Sequence, residues 1–526
     1  MAGQYRSQAE NVLQRQLAKS RNARTDEVVY TLPVVVHGVY NGEPVGTGNN
    51  PSDASIRAMI TVLNAAFRKN GAQFGGVDVG IQFQLATRSP LCSSISGIDR
   101  VDGSGVANYT SGGIAVGTYP GSADEVAVKA LSRWPNTDYI NIWIVHKINV
   151  NSNSGGFAFF PEYNLAATDG IVVKANTVDG INKTIVHEMR HVFNLYHTFH
   201  DYDYGPETNC PSSTSCATTG DRICDTEPVL NVACNTAQNT CTGAAFQLVD
   251  ATLNYTVLNN YMGYTSCQWL FTQGQKGRIR AALAAFRGGL LSSGGLSGAI
   301  PVGPVTACSI TATNAPSQYY GIAQVTLNTL DVYSHTSLAD GAFYVDRTCN
   351  QRTTLTRGQS YSLVIQATYG NYQYLQAYLD YNADGDFNDA NETILTTAGG
   401  SATVTVTIPA TGVTLNKPLR LRIVADNPNN PAPTACNVVG TVAEGVGQVE
   451  DYSVTVVPRT ITSVASGAWT TPATWSCSCV PTAADSVSIQ AGHIISISSG
   501  LKQALSLNLS GRVQYAAGGR LHLTGN

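Results

Sequence analysis

Three histidines and a glutamate lie close together in the chain, at His187, Glu188, His191 and His197. On an α-helix, residues four apart share one face, so His187 and His191 can point at a single ion. Two imidazoles at this spacing bind Zn²⁺, and the glutamate after the first serves as a general base. His197 is the expected third ligand, provided that the chain turns sharply after His191. Asn194 is the predicted pivot, because Asn tolerates a positive φ.

The short HExxH pattern arises by chance in many helices, whereas the long form HExxHxxNxxH is far more specific. Four of the nine histidines of the chain fall between 187 and 200. A solvated or core helix has no reason to concentrate them there. The sequence therefore predicts a site for one catalytic Zn²⁺ ion.

Composition limits the class of protein. At 526 residues the chain is too long for one core, so two to four domains are expected. Charged residues make up only 13% of the chain, which is typical of β-rich extracellular proteins. The net charge of −4 argues against nucleic acid or an anionic membrane as a partner. No apolar run reaches the ~20 residues of a membrane span.

Cysteine usage points to an oxidising compartment. Twelve cysteines are present, and six of them lie within 210–267, which favours disulfides in a secreted protein. A cysteine-rich zinc ribbon is the alternative, but the CxxC pairs that it needs are missing from this region. The N-terminus has no apolar signal-peptide core. We expect either that a signal has been removed from the numbered chain or that the opening Met is not native.

The elements that must position the histidines follow from hydrophobic periodicity. The first part of the chain predicts strands at 28–40, 79–87, 139–148, 157–161 and 170–175, a helix at 52–70, and then the histidine helix. Strand and helix alternate, so this part is predicted to be α/β, with a twisted sheet beside the histidine helix. A loop-rich, cysteine-rich stretch follows, and order returns with a helix at 271–289.

The remaining chain alternates apolar and polar residues at period two, which predicts β structure. Turn signals every 8–12 residues indicate a β-sandwich, and the short strands after it suggest the first coils of a truncated β-solenoid. The expected organisation is an N-terminal segment or propeptide remnant at 1–26, an α/β catalytic domain at 27–287, a Gly/Ser/Pro linker at 288–307, an all-β sandwich at 308–458 and a short β-rich module at 459–526.

The first domain resembles the pappalysin group of metzincin metallopeptidases. The likeness is carried by LPVVVHGVYN (32–41), FAFFP (157–161), ATDGIVV (167–173), HEMRHVFNLYHTF (187–199), GDRICDTEP (220–228) and NNYMGYTSC (259–267). The resemblance implies a metzincin-type fold in which the three histidines bind zinc and Glu188 is the catalytic base. It also implies that Met262 lies beneath the zinc and that the Tyr264 phenol reaches the metal or the transition state.

The resemblance further implies calcium and disulfides around GDRICDTEP. Candidate calcium ligands are Asp221, Asp225 and Thr226, and the alternative is an Asx-turn loop held by Cys224 alone. The implied bridges join Cys234 with Cys267, and Cys241 with one of Cys210, Cys216 or Cys224. Sequence does not decide between these last three.

The chain departs from the family pattern at two positions of the zinc motif and at one position after the methionine of the later turn. Asn194 and Arg190 stand where relatives usually carry Gly, and Gly263 replaces the usual Asp. We expect Arg190 to lie off the ligand face, either exposed or paired with a carboxylate. The segment from Tyr264 to Cys267 is neutral, whereas arginine-directed relatives are acidic there, so no preference for basic side chains is carried over.

The predicted sandwich carries a second candidate calcium site. Asp380, Asn382, Asp384 and Asp386 alternate as in the first half of an EF-hand loop. The glutamate of position 12 is displaced, so a polar hairpin tip is the alternative. The segment 444–456 is similar to GEVED modules, for which surface or glycan attachment is a hypothesis. Cys477 and Cys479 are separated too little for an easy mutual bridge and are expected to pair elsewhere or with a missing continuation of the chain.

These features together predict a secreted zinc endopeptidase that acts on proteins or peptides. The alternative is an extracellular adhesion or matrix-binding protein with a vestigial metallopeptidase fold, against which the complete set of ligands and base argues. A third possibility is latency conferred by residues 1–26, with an acidic residue such as Asp26 blocking the zinc.

Overall fold

The computed structural model describes residues 2–21, 28–150, 152–161, 166–200, 209–211, 215–299, 303–308, 310, 320–333, 340, 342–429, 431–438 and 447–525. The chain separates into two compact units, one mainly before residue 302 and one mainly after residue 343. Asp26, the candidate for blocking the zinc, lies outside the described residues.

The first unit contains the α/β part of the chain. Its helices are α1 (Ala2–Arg21), α2 (Asp53–Phe67), α3 (Tyr109–Gly112), α4 (Glu125–Ala130), α5 (Thr184–His191), α6 (Gln273–Phe286) and α7 (Gly289–Ser292). Its strands are β1 (Tyr30–Tyr40), β2 (Gly75–Gly76), β3 (Ile81–Leu85), β4 (Ile98–Asp102), β5 (Ile140–Val145), β6 (Gly156–Ala158), β7 (Ile171–Lys174), β8 (Gln238–Asn239), β9 (Ala244–Ala245), β10 (Leu248–Asp250), β11 (Tyr255–Thr256) and β12 (Leu270–Phe271).

The main sheet of this unit has the strand order β3-β1-β5-β7-β6, and β4 also pairs with β1. All of its pairs are parallel except that between β6 and β7. Strand β5 is buried along its whole length, as expected for a central parallel strand. The α/β prediction for this part of the chain is confirmed.

Helices α2, α5 and α6 pack into one core with the sheet. Apolar side chains of α2 recur at helical spacing, and Ser52 caps the helix by accepting from the Ser55 N–H. The core includes Ile60 of α2, Met189 of α5 and Ile279 of α6. Leu13 of α1 is fully buried in the same core. The N-terminal helix is thus part of this unit.

The segment assigned to a linker from residue 288 is ordered at its start. Helix α7 buries Leu290, and the Thr87 and Arg88 N–H groups donate to the Gly295 carbonyl. The Arg88 guanidinium also donates to the Gly298 carbonyl. Residues 289–298 therefore complete the first unit, although their Gly/Ser composition resembles that of a linker.

The second unit is built of strands. They are β13 (Ile322–Leu327), β14 (Leu330–Tyr333), β15 (Tyr344–Asp346), β16 (Arg352–Thr356), β17 (Ser360–Ala367), β18 (Gln373–Leu379), β19 (Thr393–Gly399), β20 (Ser401–Thr407), β21 (Pro418–Asp426), β22 (Gln448–Val457), β23 (Thr460–Thr462), β24 (Gly467–Ala468), β25 (Ser486–Ile489), β26 (Ile494–Ile497), β27 (Gly500–Ala504), β28 (Ser506–Leu509), β29 (Arg512–Tyr515) and β30 (Gly519–Leu523). The predicted β-rich C-terminal region is confirmed.

Strands β13–β22 form two sheets, ordered β14-β13-β17-β20 and β15-β22-β21-β18-β19, with β16 also pairing with β22. Strands β13 and β22 contact each other, as do β17 and β18. Two sheets in contact are what alternating strands produce when each buries one face.

From β23 onward the strands pair in parallel with the next coil, as β23-β25-β28, β24-β26-β29 and β27-β30. Trp469 and Trp475 fill the interior of these coils. Cys477 and Cys479 are bonded to each other, contrary to the sequence expectation. Ser478 between them adopts a positive φ of 51°, which brings the two Cα atoms to 5.1 Å, an ordinary disulfide separation.

No helix in the described part of the chain combines the length and apolar character that crossing a bilayer requires.

Candidate active site

Helix α5 carries the first two histidines of the site, and the turn after it brings in the third. The candidate ligand atoms of His187, His191 and His197 all lie within 4.8 Å of one another. The Nε2 atoms of His187 and His197 are 3.2 Å apart. Two nitrogens bound tetrahedrally to zinc at 2.0–2.1 Å would be ~3.3 Å apart. The donor set and its spacing therefore fit one zinc ion.

Backbone carbonyls fix the orientation of two of the rings. The Nδ1 atom of His187 lies 3.2 Å from the Tyr261 carbonyl oxygen, and that of His191 lies 2.8 Å from the Leu195 carbonyl oxygen. A proton on Nδ1 leaves the Nε2 lone pair for a metal. Burial also holds the pKa of His187 well below its usual value, so the ring stays neutral. Neutral imidazole is the form that binds zinc.

The turn to His197 depends on Asn194. Helix α5 ends at His191, and Asn194 adopts a φ of 66°, in the left-handed region. Arg278 of α6 holds this residue twice, since its Nε donates to the Asn194 carbonyl and its guanidinium to the side-chain oxygen. Glu10 of α1 neutralises Arg278 through two bonds of 3.0 and 2.9 Å.

A second buried arginine holds the same turn. The Nε of Arg287 donates to the Val192 carbonyl at 3.0 Å. Asp169 neutralises Arg287 with two bonds of 2.8 and 2.7 Å, and both side chains are almost fully buried. Two guanidinium groups therefore fix the backbone between the second and third histidines.

Glu188 is buried and packs against a glycine of β6. A Cβ on Gly156 would lie 2.9 Å from the Glu188 Cγ and 2.8 Å from the Val172 carbonyl oxygen. Burial raises the pKa of Glu188 to about 8, and the charge of Arg190 opposes that increase. A carboxylate with a pKa near neutrality can accept a proton and release it again.

Met262 and Tyr264 lie on the turn that follows the loop-rich stretch. Met262 is fully buried, and its carbonyl accepts from the Thr198 N–H, next to the third histidine. Tyr264 is 56% exposed, and its ring centroid lies 4.7 Å from that of His197. The structure thus brings the phenol to the histidine cluster and places the methionine in the core.

The three histidines, Glu188 and Tyr264 line a cleft of about 990 Å³. One wall is β6 with Phe160, whose ring lies 5.2 Å from that of His191. Another wall combines the start of α5 with residues 264–269. The cleft is open on one side, and its volume is large enough to hold part of an extended peptide.

Arg190 is neither exposed nor paired with a carboxylate, so that expectation is wrong. It is fully buried, its Nε donates to the Val186 carbonyl, and its guanidinium lies over the rings of Tyr261 and Phe271. The aromatic faces supply the partial negative charge that a carboxylate would otherwise provide.

The GDRICDTEP loop holds its acidic residues in different roles. Asp221 accepts from the Ile223 N–H and the Thr226 hydroxyl, and burial raises its pKa to about 7. Asp225 accepts instead from the Thr272 hydroxyl and the Gly274 N–H at the start of α6. Within the described residues these acids do not form a converging cluster; only the three histidines do.

The acidic loop of the second unit is organised around buried Asp380. Its oxygens accept from the N–H groups of Ala383 and Gly385. The side chains of Asn382 and Asp384 bond each other, and the Asp386 Oδ1 accepts from the Asn388 N–H. Glu392, which the sequence displaced from position 12, is buried and accepts from the Tyr381 N–H.

The cysteines around the site are bonded in pairs. Cys234 pairs with Cys267, Cys241 with Cys210, and Cys216 with Cys224. These bridges fasten the loop-rich stretch to itself and to the segment after Tyr264.

Two parts of the chain match the profiles of known protein families. The profile of the peptidase family described as pregnancy-associated plasma protein-A matches residues 122–284, and that of the GEVED domain matches residues 374–455. Residues 122–284 are a peptidase domain of the pappalysin family. The predicted family resemblance, for both domains, is confirmed.

Curated relatives of this pappalysin domain are extracellular metalloproteases. That of Arthroderma otae is 28% identical over 274 residues, which is 49% of this chain and 80% of the relative. That of Verticillium alfalfae is 24% identical over 309 residues, 54% of this chain and 89% of the relative. Among solved structures, a promirolysin mutant of Tannerella forsythia is 25% identical, with a TM-score of 0.41, and covers 55% of this chain and 91% of its own.

Sequence reasoning missed several residues that position the site. Arg278 and Arg287 are 84 and 95 residues away from the backbone that they hold. The available signal was an arginine on the apolar face of a predicted helix. Gly156 and Lys183 were also missed, and only their contacts in the folded cleft distinguish them.

Proposed function

We propose that this pappalysin-type metallopeptidase is a secreted zinc endopeptidase, with Glu188 as its general base. The convergence of His187, His191 and His197 beside buried Glu188 is the observation that carries the proposal. The extracellular relatives support secretion. Proteins or peptides are the substrates.

His187, His191 and His197 would hold the zinc through their ring nitrogens. When bound, zinc polarises the scissile carbonyl and lowers the pKa of a water towards ~7. Glu188 accepts a proton from the attacking water at a carboxylate oxygen and transfers it to the leaving amine nitrogen. Its raised pKa suits both directions of this transfer.

Tyr264 supplies a further donor at the rim of the site. Its ring lies 4.7 Å from His197 and 5.4 Å from His187, measured between centroids. From this position the hydroxyl donates to the oxyanion that develops on the scissile carbonyl. Met262 and Asn194 have structural roles, since Met262 is buried in the core and Asn194 forms the turn.

Casein cleavage tests the proposal. Glu188→Ala is expected to lower kcat by roughly 10²–10⁴, because the general base is lost. A zinc chelator should abolish wild-type cleavage, and added Zn²⁺ should restore it. Glu43→Gln, in the loop after β1, is the matched control and should cleave normally. Equal, chelator-insensitive cleavage by wild type and Glu188→Ala would contradict the proposal.

Calcium is proposed as a structural ion in two loops. One would use oxygens of Asp221, Asp225 and Thr226, where a cation would offset the cost of ionising buried Asp221. The other would use Asp380, Asn382, Asp384 and Asp386. Added Ca²⁺ should raise Tm for the wild type, and Asp221→Asn and Asp380→Asn should each reduce that rise. A Tm that does not respond to Ca²⁺ would contradict both sites.

The adhesion alternative receives no support from the comparisons, since the curated relatives are extracellular metalloproteases. Surface or glycan attachment by the C-terminal β modules stays a prediction. Retention of residues 303–526 on polysaccharide resins would test it.

A further inference from the structure

Lys183 is a cation that lines the active-site cleft. Its backbone carbonyl accepts from the His187 N–H at 3.0 Å, so it lies one helical turn before the first histidine. Residues four apart on a helix share a face. The lysine side chain therefore starts from the same wall of the cleft as the first zinc ligand, close enough to meet a substrate residue near the scissile bond.

The position of this ammonium is fixed by the segment after Tyr264. The Lys183 Nζ lies 3.0 Å from the Trp269 ring centroid and donates to the Gln268 carbonyl at 2.6 Å. An ammonium has three N–H donors, and one carbonyl uses only one of them. The ring face and the carbonyl thus hold the lysine in place and leave donor capacity towards the cleft.

The described part of the cleft gives this cation no counter-charge. Among the described residues, no carboxylate lies within 4 Å of the Lys183 Nζ, and burial alone lowers its pKa to about 8. The other polar side chains at this end of the cleft are neutral: Asn182, Thr184, Thr265, Ser266 and Gln268. Among the lining residues that the structure describes, the one carboxylate is that of the buried general base Glu188. A negatively charged ligand would restore the interaction that burial removes.

We propose that Lys183, with Gln268 and Trp269, forms a carboxylate-binding subsite that selects peptide substrates with Asp or Glu next to the scissile bond. This inference rests on the proposed endopeptidase function and names its substrate class. A peptide C-terminus offers the same carboxylate chemistry from a second source. Selection through a fixed, partly desolvated charge is expected to be worth on the order of tenfold in kcat/KM.

Paired quenched fluorescent peptides measure the selection. The two peptides of a pair are identical except at one position beside the cleaved bond, where one has Glu and the other Gln. The readout is the ratio of kcat/KM for the Glu peptide to that for the Gln peptide. The wild type should favour the Glu peptide about tenfold. Lys183→Gln should bring the ratio close to one. Lys183→Glu should cleave a third peptide, with Arg at the same position, faster than the Glu peptide. Lys147→Gln, a lysine in the loop after β5, is the control and should keep the wild-type ratio.

Each pair is also made with a free and an amidated C-terminus. A Glu preference that persists in the amidated peptides assigns the carboxylate to the side chain, as proposed. Faster cleavage of the free-acid peptides than of the amidated ones, with no difference between Glu and Gln, would assign the carboxylate to the peptide terminus and overturn the selection of Asp or Glu.

Equal cleavage of the Glu and Gln peptides by the wild type would overturn this proposal and leave the endopeptidase function intact. A Glu preference unchanged in Lys183→Gln would do the same. If the zinc-loaded wild type cleaves none of the peptides and no casein, the proposed function itself fails and the subsite proposal fails with it.

Discussion

At the scale of single residues, the general base depends on the absence of a side chain opposite it. Gly156 lies in β6 against Glu188 and Thr184, and a Cβ at this position would lie within 2.9 Å of both side chains. Real Cβ atoms do not approach other heavy atoms this closely, so Glu188 or the strand that faces it would have to shift. Glu188 has little freedom to do so, because it is almost fully buried.

Gly156→Ala is therefore expected to lower kcat roughly tenfold or more, because a displacement near 1 Å at a catalytic group is costly. Zinc content, measured by atomic absorption, should remain at one ion per chain. Gly105→Ala is the control, since a Cβ there meets nothing within 4 Å. Normal kcat in Gly156→Ala would show that the glycine does not position the base.

The spacing of His187 and His191 predicted that their rings would converge, because helical geometry is local. Asn194 was predicted as the pivot for the same reason, and it has the positive φ that the turn needs. The environment of Arg190 could not be predicted, because Tyr261 and Phe271 reach it only through the fold. Local spacing identifies candidate ligands, whereas the groups that orient them come from distant segments.

At the scale of elements, α6 supports the zinc-binding turn and α1 supports α6. Glu10 of α1 accepts hydrogen bonds from Arg278 and from Arg222 of the GDRICDTEP loop. Arg278 in turn holds Asn194. Arg278 is almost fully buried, so its charge needs a partner. The hydrogen bonds and the charge of Arg278 lower the pKa of Glu10 to about 2, although burial opposes this, so the carboxylate is ionised at neutral pH.

Glu10→Gln should lower the free energy of unfolding by about 1–3 kcal/mol, because it leaves a buried guanidinium without its counter-charge. It should also weaken zinc retention, measured by competition with a chromophoric chelator. Arg15→Gln, an exposed change on the same helix, is the control. Unchanged unfolding and zinc retention in Glu10→Gln would mean that α1 does not support the turn.

The contacts of α1 with α6 and the core argue against an inhibitory role for the N-terminal segment. Removal of an inhibitory segment is expected to raise activity. Deletion of residues 1–21 would instead expose the core around Leu13 and leave Arg278 without the carboxylate of Glu10. The sequence identified residues 1–26 as an N-terminal segment but did not predict this role, since its partner α6 lies more than 250 residues further along the chain. Propensity alone does not say what a helix packs against.

At the scale of the whole molecule, alternation of strand and helix predicted the α/β unit, and period-two patterning predicted the β-rich region. The end of the first unit was harder to predict, because residues 289–298 have the composition of a linker yet pack on β1 and neighbouring residues. Division into two compact units implies that each has its own stabilising contacts. Perturbing one unit should then leave the chemistry of the other unchanged.

The Cys308–Cys436 bridge allows that independence to be tested. It joins residues 128 apart in the second unit, and Arg422 contacts its Cys308 sulfur. Because a bridge that closes a long loop restricts the unfolded chain, replacing both cysteines by serine should destabilise this unit by about 2–5 kcal/mol. Calorimetry should show one thermal transition moved to lower temperature and the other unchanged. Casein cleavage measured below both transitions should match that of the wild type. A parallel loss of peptidase activity, or a downward shift of both transitions together, would mean that the two units fold as one.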